Sequence, residues 1–188
     1  MLREHFRMRG YGGGVFFFER DRTAPRPGQI YVQADLLHRW ALGRDTVPPF
    51  LAGQSKGISS VRAHLDDVRL SLILDSDTLP SASWKITPGH RAKLAFSMTR
   101  LEWSGWEAGD LTVSVDQQVV ATQTVPERDI MEFWRPVQVD LSPWSGKAIT
   151  LSLQVHAKRP GGTIGIPVAD PIVYASELDD LRVAGKPD

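Results

Sequence analysis

Strict alternation of apolar and polar residues in two segments constrains this chain more than any other feature. In the first segment, Leu111, Val113 and Val115 alternate with polar residues. In the second, apolar residues occupy every other position over 149–155. Successive side chains of a strand point to opposite faces, so this period of two predicts strands with one face in a core and the other in solvent.

Short segments with similar character continue from residue 61 onward, and Gly, Pro, Asp or Ser marks most of the junctions between them. Eight or nine short strands at this spacing, with at most one short helix, are typical of an all-β sandwich of antiparallel strands. We predict strands near residues 68–74, 83–86, 92–98, 110–116, 119–124, 135–141, 148–156, 172–175 and 181–184.

The first 60 residues have a different pattern. Residues 15–18 are apolar and predict a terminal strand followed by a linker, and residues 29–37 have strand spacing. The spacing of apolar residues then becomes helical, which predicts a short helix with Asp35 as its N-cap and Gly43 at its end. Residues 47–50 and 53–60 predict a loop. We therefore divide the chain into residues 1–60, a strand, linker and short helix that pack on or lead into the sandwich, and residues 61–188, the sandwich itself.

A turn over residues 139–147 separates two of the predicted strands. We expect Val139 and Leu141 to point inward and Asp140 to point outward, and Pro143 ends the strand. Gly146 permits the positive φ that such a turn requires. The turn is chiefly a folding signal.

Residues 109–120, 134–142 and 144–153 together resemble the galactose-binding-domain-like jelly rolls. The shared features are a strand ending in Val115-Asp116, a Trp-led run that ends in Asp140-Leu141-Ser142, and a following aromatic residue before Gly146-Lys147. The resemblance covers about residues 65–183 and implies a jelly-roll β-sandwich similar to carbohydrate-binding modules. That group also includes accessory domains of glycosidases and lyases and adhesion domains, so it implies an architecture more firmly than a ligand.

Charge and cysteine content narrow the classes of function. Lys and Arg total 22 and Asp and Glu total 22, so the formal net charge is zero, which disfavours a nucleic acid or an anionic membrane as partner. The absence of cysteine excludes disulfides, Cys-based zinc sites and thiol nucleophiles. No apolar run is long enough for a signal peptide or for membrane insertion. The absence of cysteine does not identify the cellular compartment, since bacterial secreted domains also often lack cysteine. An extracellular or periplasmic location is favoured if the protein is exported.

The best candidate for a ligand site is the segment 100–110. Trp103 and Trp106 supply aromatic faces for the C–H surfaces of a sugar, while Arg100, Glu102 and Glu107 supply groups that exchange hydrogen bonds with its hydroxyls. The alternative is that one or both indoles cover the end of the core, since tryptophan is highly buried on average.

Arg159 is a further candidate, in a loop over 158–163 that carries two cations and two glycines. Its guanidinium could pair with the anionic group of an acidic or sulfated sugar. The alternative is a solvated hairpin connection. Of the other tryptophans, we expect Trp134 and Trp144 to be structural and Trp40 to be buried on a helical face, whereas Trp84 could be core or platform.

The sequence predicts no cofactor, although a structural calcium could use Asp pairs near residues 66–67, 75–77 and 179–180. No histidine spacing or nucleophile motif indicates catalysis, and nothing shows that Glu102 and Glu107 converge as an acid/base pair.

We therefore predict a non-catalytic carbohydrate-binding or accessory module whose partner is a carbohydrate. The alternative is a structural or protein-interaction domain of a larger envelope protein or assembly, in which the apolar N-terminal segment docks on a partner protein or forms a homo-oligomer. A small hydrolase or lyase is a third hypothesis.

Overall fold

A computed structural model describes residues 5–12, 15–21, 30–46, 57–62, 67–100, 107–127 and 133–176. Within these ranges there are twelve strands and one α-helix, α1 (Leu36–Leu42). The strands are β1 (His5–Gly12), β2 (Val15–Asp21), β3 (Ile30–Asp35), β4 (Ile58–Arg62), β5 (Val68–Asp75), β6 (Ser81–Ile86), β7 (Lys93–Met98), β8 (Gly109–Val115), β9 (Gln118–Val125), β10 (Arg135–Asp140), β11 (Ile149–Ala157) and β12 (Gly165–Ser176).

Ten of these strands form two antiparallel sheets. The larger sheet has the order β10-β7-β12-β5-β4, with β3 paired to β12, and the smaller has the order β6-β11-β8-β9. From β5 to β12 the chain crosses repeatedly between the sheets, as in a jelly roll. The prediction of an all-β, jelly-roll sandwich of antiparallel strands is confirmed.

The core lies between the two sheets and is filled by the residues that the alternation assigned to it. Leu111, Val113, Leu151 and Leu153 of the smaller sheet have no exposed surface. Facing them across the core is the inner face of the larger sheet, which contributes Leu72, Leu74, Leu94, Phe96 and Met98. The period of two therefore identified the buried face of both central strands of the smaller sheet.

The helix forms where the sequence placed it. The Asp35 side chain accepts the backbone N–H of His38 at 2.9 Å, and Gly43 ends the helix with φ 64°. Leu36, Leu37 and Trp40 are buried against the sandwich. Because β3 pairs with β12 and α1 packs on the same core, the sheet includes chain from before residue 61.

The turn after β10 has the expected conformation. Val139 and Leu141 are buried, Asp140 is exposed, and Gly146 has φ 76°. A 3-10 turn at Ser142–Trp144 ends β10, and the backbone N–H of Gly146 donates to Pro88 O at 2.8 Å. The turn is thereby tied to the loop after β6.

Three segments differ from the predicted pattern. Residues 58–60, predicted as loop, belong to the edge strand β4, because pairing with β5 stabilises a segment in which Ile58 is followed by two serines. The predicted strand 172–175 is the second half of the twelve-residue β12, which continues through a bulge between Ala169 and Ile172. The hairpin of β1 and β2 is a separate two-stranded sheet, and only part of β2 was predicted. Residues 181–184 lie outside the described ranges.

No helix in the described ranges is both long and apolar enough to cross a membrane.

Candidate functional site

Antiparallel pairing gives the sandwich two ends with different loops. At one end lie residues 76–80, 99–100, 107–108, 126–127 and 158–164, since Gly109 of β8 pairs with both Ala157 of β11 and Val125 of β9. We call it the Trp-loop end, because Arg100 and Glu107 flank in sequence the segment that contains Trp103 and Trp106. At the other, the cleft end, lie the segments 87–92, 116–117 and 141–148. Of the predicted ligand residues, Arg100, Glu107 and Arg159 lie at the Trp-loop end.

Arg100 closes the base of the predicted ligand loop. It is 9% exposed, its Nη2 donates to Glu107 O at 2.7 Å, and its Nη1 donates to Pro126 O at 3.2 Å. The first of these bonds joins the two sides of the segment 101–106. A guanidinium with hydrogen bonds to two backbone carbonyls holds the base of the loop in place. The structure thus places Arg100 at the base of the loop.

Glu107, which directly follows the segment 101–106 in sequence, contacts Arg159. Arg159 Nη1 lies 3.6 Å from Glu107 Oε1, and the Arg159 side chain is 77% exposed. A Cβ built on Gly162 would lie 2.9 Å from Glu107 Oε2, and the backbone N–H of Lys158 donates to Ala108 O at 2.9 Å. The two loops that the sequence treated as separate candidates are therefore parts of one surface.

Further polar groups adjoin this pair on the neighbouring strands. Asp110 Oδ1 accepts a hydrogen bond from Thr124 Oγ1 at 2.6 Å and lies 3.5 Å from Lys158 Nζ. Each cation described at this end thus has a carboxylate or carbonyl oxygen close to it. Trp103, Trp106 and Glu102 lie outside the described residues.

The tryptophans described near the cleft end are packing residues. Trp84 has no exposed surface, and its Nε1 donates to Leu36 O at 3.1 Å. Trp40 is 3% exposed and packs edge-on against Trp84, with ring centroids 5.5 Å apart. Trp144 is half-buried against the core. The prediction that Trp40 is buried is confirmed, and Trp84 is core rather than platform.

Asp170 lies at the bulge of β12 in a polar cluster on the larger sheet. Its φ is 50°, and burial raises the pKa of its carboxyl, an effect that Arg69, 3.7 Å away, opposes. Arg69 also pairs with Asp67 at 3.0 Å, donates to Ser97 Oγ at 3.0 Å and lies over the buried Trp134 ring. These contacts join β5, β7 and β12, and they make Trp134 a packing residue as predicted.

The Asp pairs considered as calcium ligands are engaged in other contacts where they are described. Asp75 Oδ1 accepts the backbone N–H groups of Asp77 and Thr78 at 2.9 and 3.0 Å, and Asp77 Oδ2 accepts Thr163 Oγ1 at 2.7 Å. In the ranges that the structure describes, no three His, Cys, Asp or Glu residues cluster as metal ligands would. Asp66, Asp179 and Asp180 lie outside these ranges.

A cleft of about 700 Å³ occupies the cleft end of the sandwich. Its walls come from β3, from Arg39 of α1, from residues 85–90 and from Ser145, Gly146 and Ala148 of the turn. No sequence feature predicted it, because the three segments that meet there are far apart in the sequence and share no motif.

No family model matches this chain, and no curated protein matches it.

Solved structures that match include several carbohydrate-binding modules. A CBM22 xylan-binding domain from Paenibacillus barcinonensis is 13% identical over 64% of this chain and 80% of that one, with a TM-score of 0.42. A family 35 carbohydrate-binding module from Clostridium thermocellum is 10% identical over 63% and 86%, with a TM-score of 0.38. A sugar-binding protein, the EclA C-terminal domain, is 12% identical over 48% of this chain and 64% of its own length, less than two thirds, with a TM-score of 0.38.

Proposed function

We propose that this protein is a non-catalytic carbohydrate-binding module that holds a glycan at the Trp-loop end. The observation that supports this proposal is the contact between Arg159 and Glu107, which directly follows the segment 101–106 in sequence. That contact joins two loops, each of which has the residue types that sugar binding requires. Trp103 and Trp106 are the aromatic platform, and Glu102 is a further hydrogen-bonding group.

The chemistry of the pair suits a neutral sugar. Glu107 offers carboxylate oxygens that accept from hydroxyl groups, and the exposed Arg159 guanidinium offers N–H groups that donate to them. Because the two charges compensate each other, a ligand gains hydrogen bonds without having to bring a counter-charge. A sugar ring stacked on an indole adds burial of its C–H face.

Arg100 supports this site from below. Its buried guanidinium fixes the loop base through the carbonyls of Glu107 and Pro126, which limits the conformational entropy that the loop loses when a ligand binds. Arg100 is thus a positioning residue in this proposal, and Glu107 and Arg159 are the residues that contact the glycan.

The experiment is a glycan array on the wild-type protein followed by titration calorimetry on the best ligand. We expect Trp103→Ala/Trp106→Ala to weaken binding by at least about tenfold, since stacked aromatics dominate such interfaces. Trp144→Ala is the matched control, because Trp144 is a partly buried tryptophan on the turn at the other end of the sandwich. Wild-type binding of no glycan, or equal binding by the double variant, would contradict the proposal.

The non-catalytic part has its own test. The bound glycan is incubated with the protein and its length is followed by chromatography, and we expect it to remain intact. Shortening that a Glu107→Gln variant abolishes would support the hydrolase or lyase hypothesis instead.

A further inference from the structure

The cleft at the other end of the sandwich has the size of a ligand site. Its volume of about 700 Å³ lies within the range of roughly 300–1,000 Å³ that is common for small-molecule sites. Apolar side chains such as Ile86 and Pro88 line it together with polar ones. The space is therefore sufficient for a ligand of the size of a monosaccharide or larger.

The charge of this cleft differs from that of the surface around Glu107 and Arg159. Arg39, Lys85 and His90 line it, and among the described residues that line it there is no Asp or Glu. Arg39 has a partner outside the lining, since its Nη1 lies 3.2 Å from Asp45 Oδ2. Lys85 is exposed on the edge strand β6 and forms no ion pair with any residue in the described ranges. Asp45 also lies beside Lys85, since the Lys85 backbone N–H donates to Asp45 O at 2.7 Å. One described carboxylate therefore adjoins two cations, Arg39 and Lys85, and the described groups at the cleft keep a positive charge.

Hydrogen bonds hold the walls of the cleft in place. The Gln33 side chain accepts the backbone N–H of Gly89 at 2.8 Å and donates to Thr87 O. Ser145 Oγ donates to Gly89 O at 2.8 Å, and the Gly146 N–H donates to Pro88 O. The loop after β6 is thereby bonded to β3 on one side and to the turn on the other, so the cleft is preformed before a ligand enters.

We propose that this cleft is a second binding site, for a small ligand that presents an oxyanion group to Lys85. A carboxylate or a sulfate would pair with the ammonium group of Lys85, and His90 and Arg39 add N–H donors on the adjacent walls. That the oxyanion is attached to a sugar rests on the function proposed above. The requirement for an oxyanion rests on the cleft alone.

Titration calorimetry with D-glucuronate, D-glucose and sulfate tests the chemistry. We expect glucuronate to bind at least about tenfold more tightly than glucose, and sulfate to compete with it. Lys85→Gln should weaken glucuronate binding about tenfold, because it removes a charge-assisted contact. Lys147→Gln makes the same change of charge on the exposed turn outside the lining, and we expect it to change affinity less than about twofold.

Location is tested by mapping glucuronate-induced changes in amide NMR signals. Changes at residues 87–90 and 145–148 that persist in Trp103→Ala/Trp106→Ala place the ligand in the cleft. This result would hold whether or not the glycan site proposed above exists. Changes at 158–163 in their place, equal binding of glucose and glucuronate, or unaltered affinity in Lys85→Gln would each overturn the inference. Sulfate binding as tight as glucuronate binding would overturn only the assignment to a sugar.

Discussion

The two ends of the sandwich use similar side chains in opposite ways. At the Trp-loop end, Arg159 lies beside Glu107 and Lys158 beside Asp110, so opposite charges compensate each other across the surface. At the cleft end, Lys85 and His90 line a concave space, and no Asp or Glu is among the described residues of that lining. A neutral chain with 22 charges of each sign can therefore carry one locally neutral surface and one locally basic one. The difference teaches that the net charge of zero limits only the global field, since ligands respond to local charge.

The strongest test of the comparison is to loosen only the cleft end. Trp84→Phe removes the indole N–H that donates to Leu36 O, which attaches α1 and its Arg39 to the core. We expect the free energy of unfolding to fall by about 1–3 kcal/mol, because a buried carbonyl loses its partner and the smaller ring leaves space. Chemical denaturation measures this, and calorimetry should show weaker glucuronate binding with unchanged glycan binding at the other end.

Trp144→Phe is the matched control, since Trp144 is only half-buried at the same end. Its effect on stability should be clearly smaller than that of Trp84→Phe. An equal loss of binding at both ends in Trp84→Phe would show that the two surfaces are not independent.

A smaller effect distinguishes the ends through one glycine at each. A Cβ on Gly89 would lie 2.9 Å from Ala175 Cβ and 3.0 Å from Tyr31 Oη, whereas the atom nearest to a Cβ on Gly162 would be Oε2 at the end of the Glu107 side chain, at 2.9 Å. We expect Gly89→Ala to cost about 1–3 kcal/mol of stability, because the methyl of Ala175 cannot move aside, and Gly162→Ala to cost less.

Binding should divide in the same way, as titration of both ligands on both variants will show. Gly89→Ala should weaken glucuronate binding, and Gly162→Ala should weaken glycan binding by displacing Glu107. A loss of glycan affinity in Gly89→Ala and not in Gly162→Ala would reverse the assignment of the two ends.

The smallest effect concerns the turn that forms one wall of the cleft. The Ser142 hydroxyl and N–H donate to Asp140 Oδ1 at 2.6 and 3.0 Å and hold the pKa of this carboxyl below its ordinary value of 3.8. A lowered pKa in the folded state stabilises the fold above the ordinary pKa of the carboxyl, and this contribution is lost as the pH falls through the lowered value.

Ser142→Ala should therefore lower stability by less than about 1 kcal/mol near neutral pH, because the carboxyl is exposed. The difference from wild type should shrink as the pH falls below the ordinary value of 3.8. Denaturation at several pH values measures it, and a difference that grows in acid would contradict the assignment of the lowered pKa to Ser142.

Most of the sandwich could be predicted from sequence, because alternation depends only on which face of a strand is buried. The four apolar positions of β11 over 149–155 and the capping of α1 by Asp35 and Gly43 are local features, and all are as expected. The strand β12 is longer than predicted, since it includes Pro167 and Pro171, a residue type that is disfavoured in the interior of a sheet. Pro171 lies at a bulge, where the ladder is interrupted and the missing N–H costs little.

The candidate surface could be predicted only in its parts. Glu107 and Arg159 are far apart in sequence, and their contact follows from the register that pairs Asp110 with His156. Pairing the two alternating segments as antiparallel neighbours would have placed their flanking loops side by side. The cleft could not be found in this way, because its walls are set by how β3 and α1 pack on the sandwich, for which the sequence contains no pairing signal.

The twelve-residue strand β12 has a consequence for how the chain acquires its structure. It pairs with β7 along one side and with β5 and then β3 along the other, so it lies at the centre of the larger sheet although it is the last described strand to be synthesised. The strands β3, β5 and β7 therefore cannot complete their pairing until β12 has been synthesised. All four strands of the smaller sheet come before it in sequence. We infer that the smaller sheet can assemble during synthesis, whereas the larger sheet closes slowly and only afterwards, as is general for distant pairings.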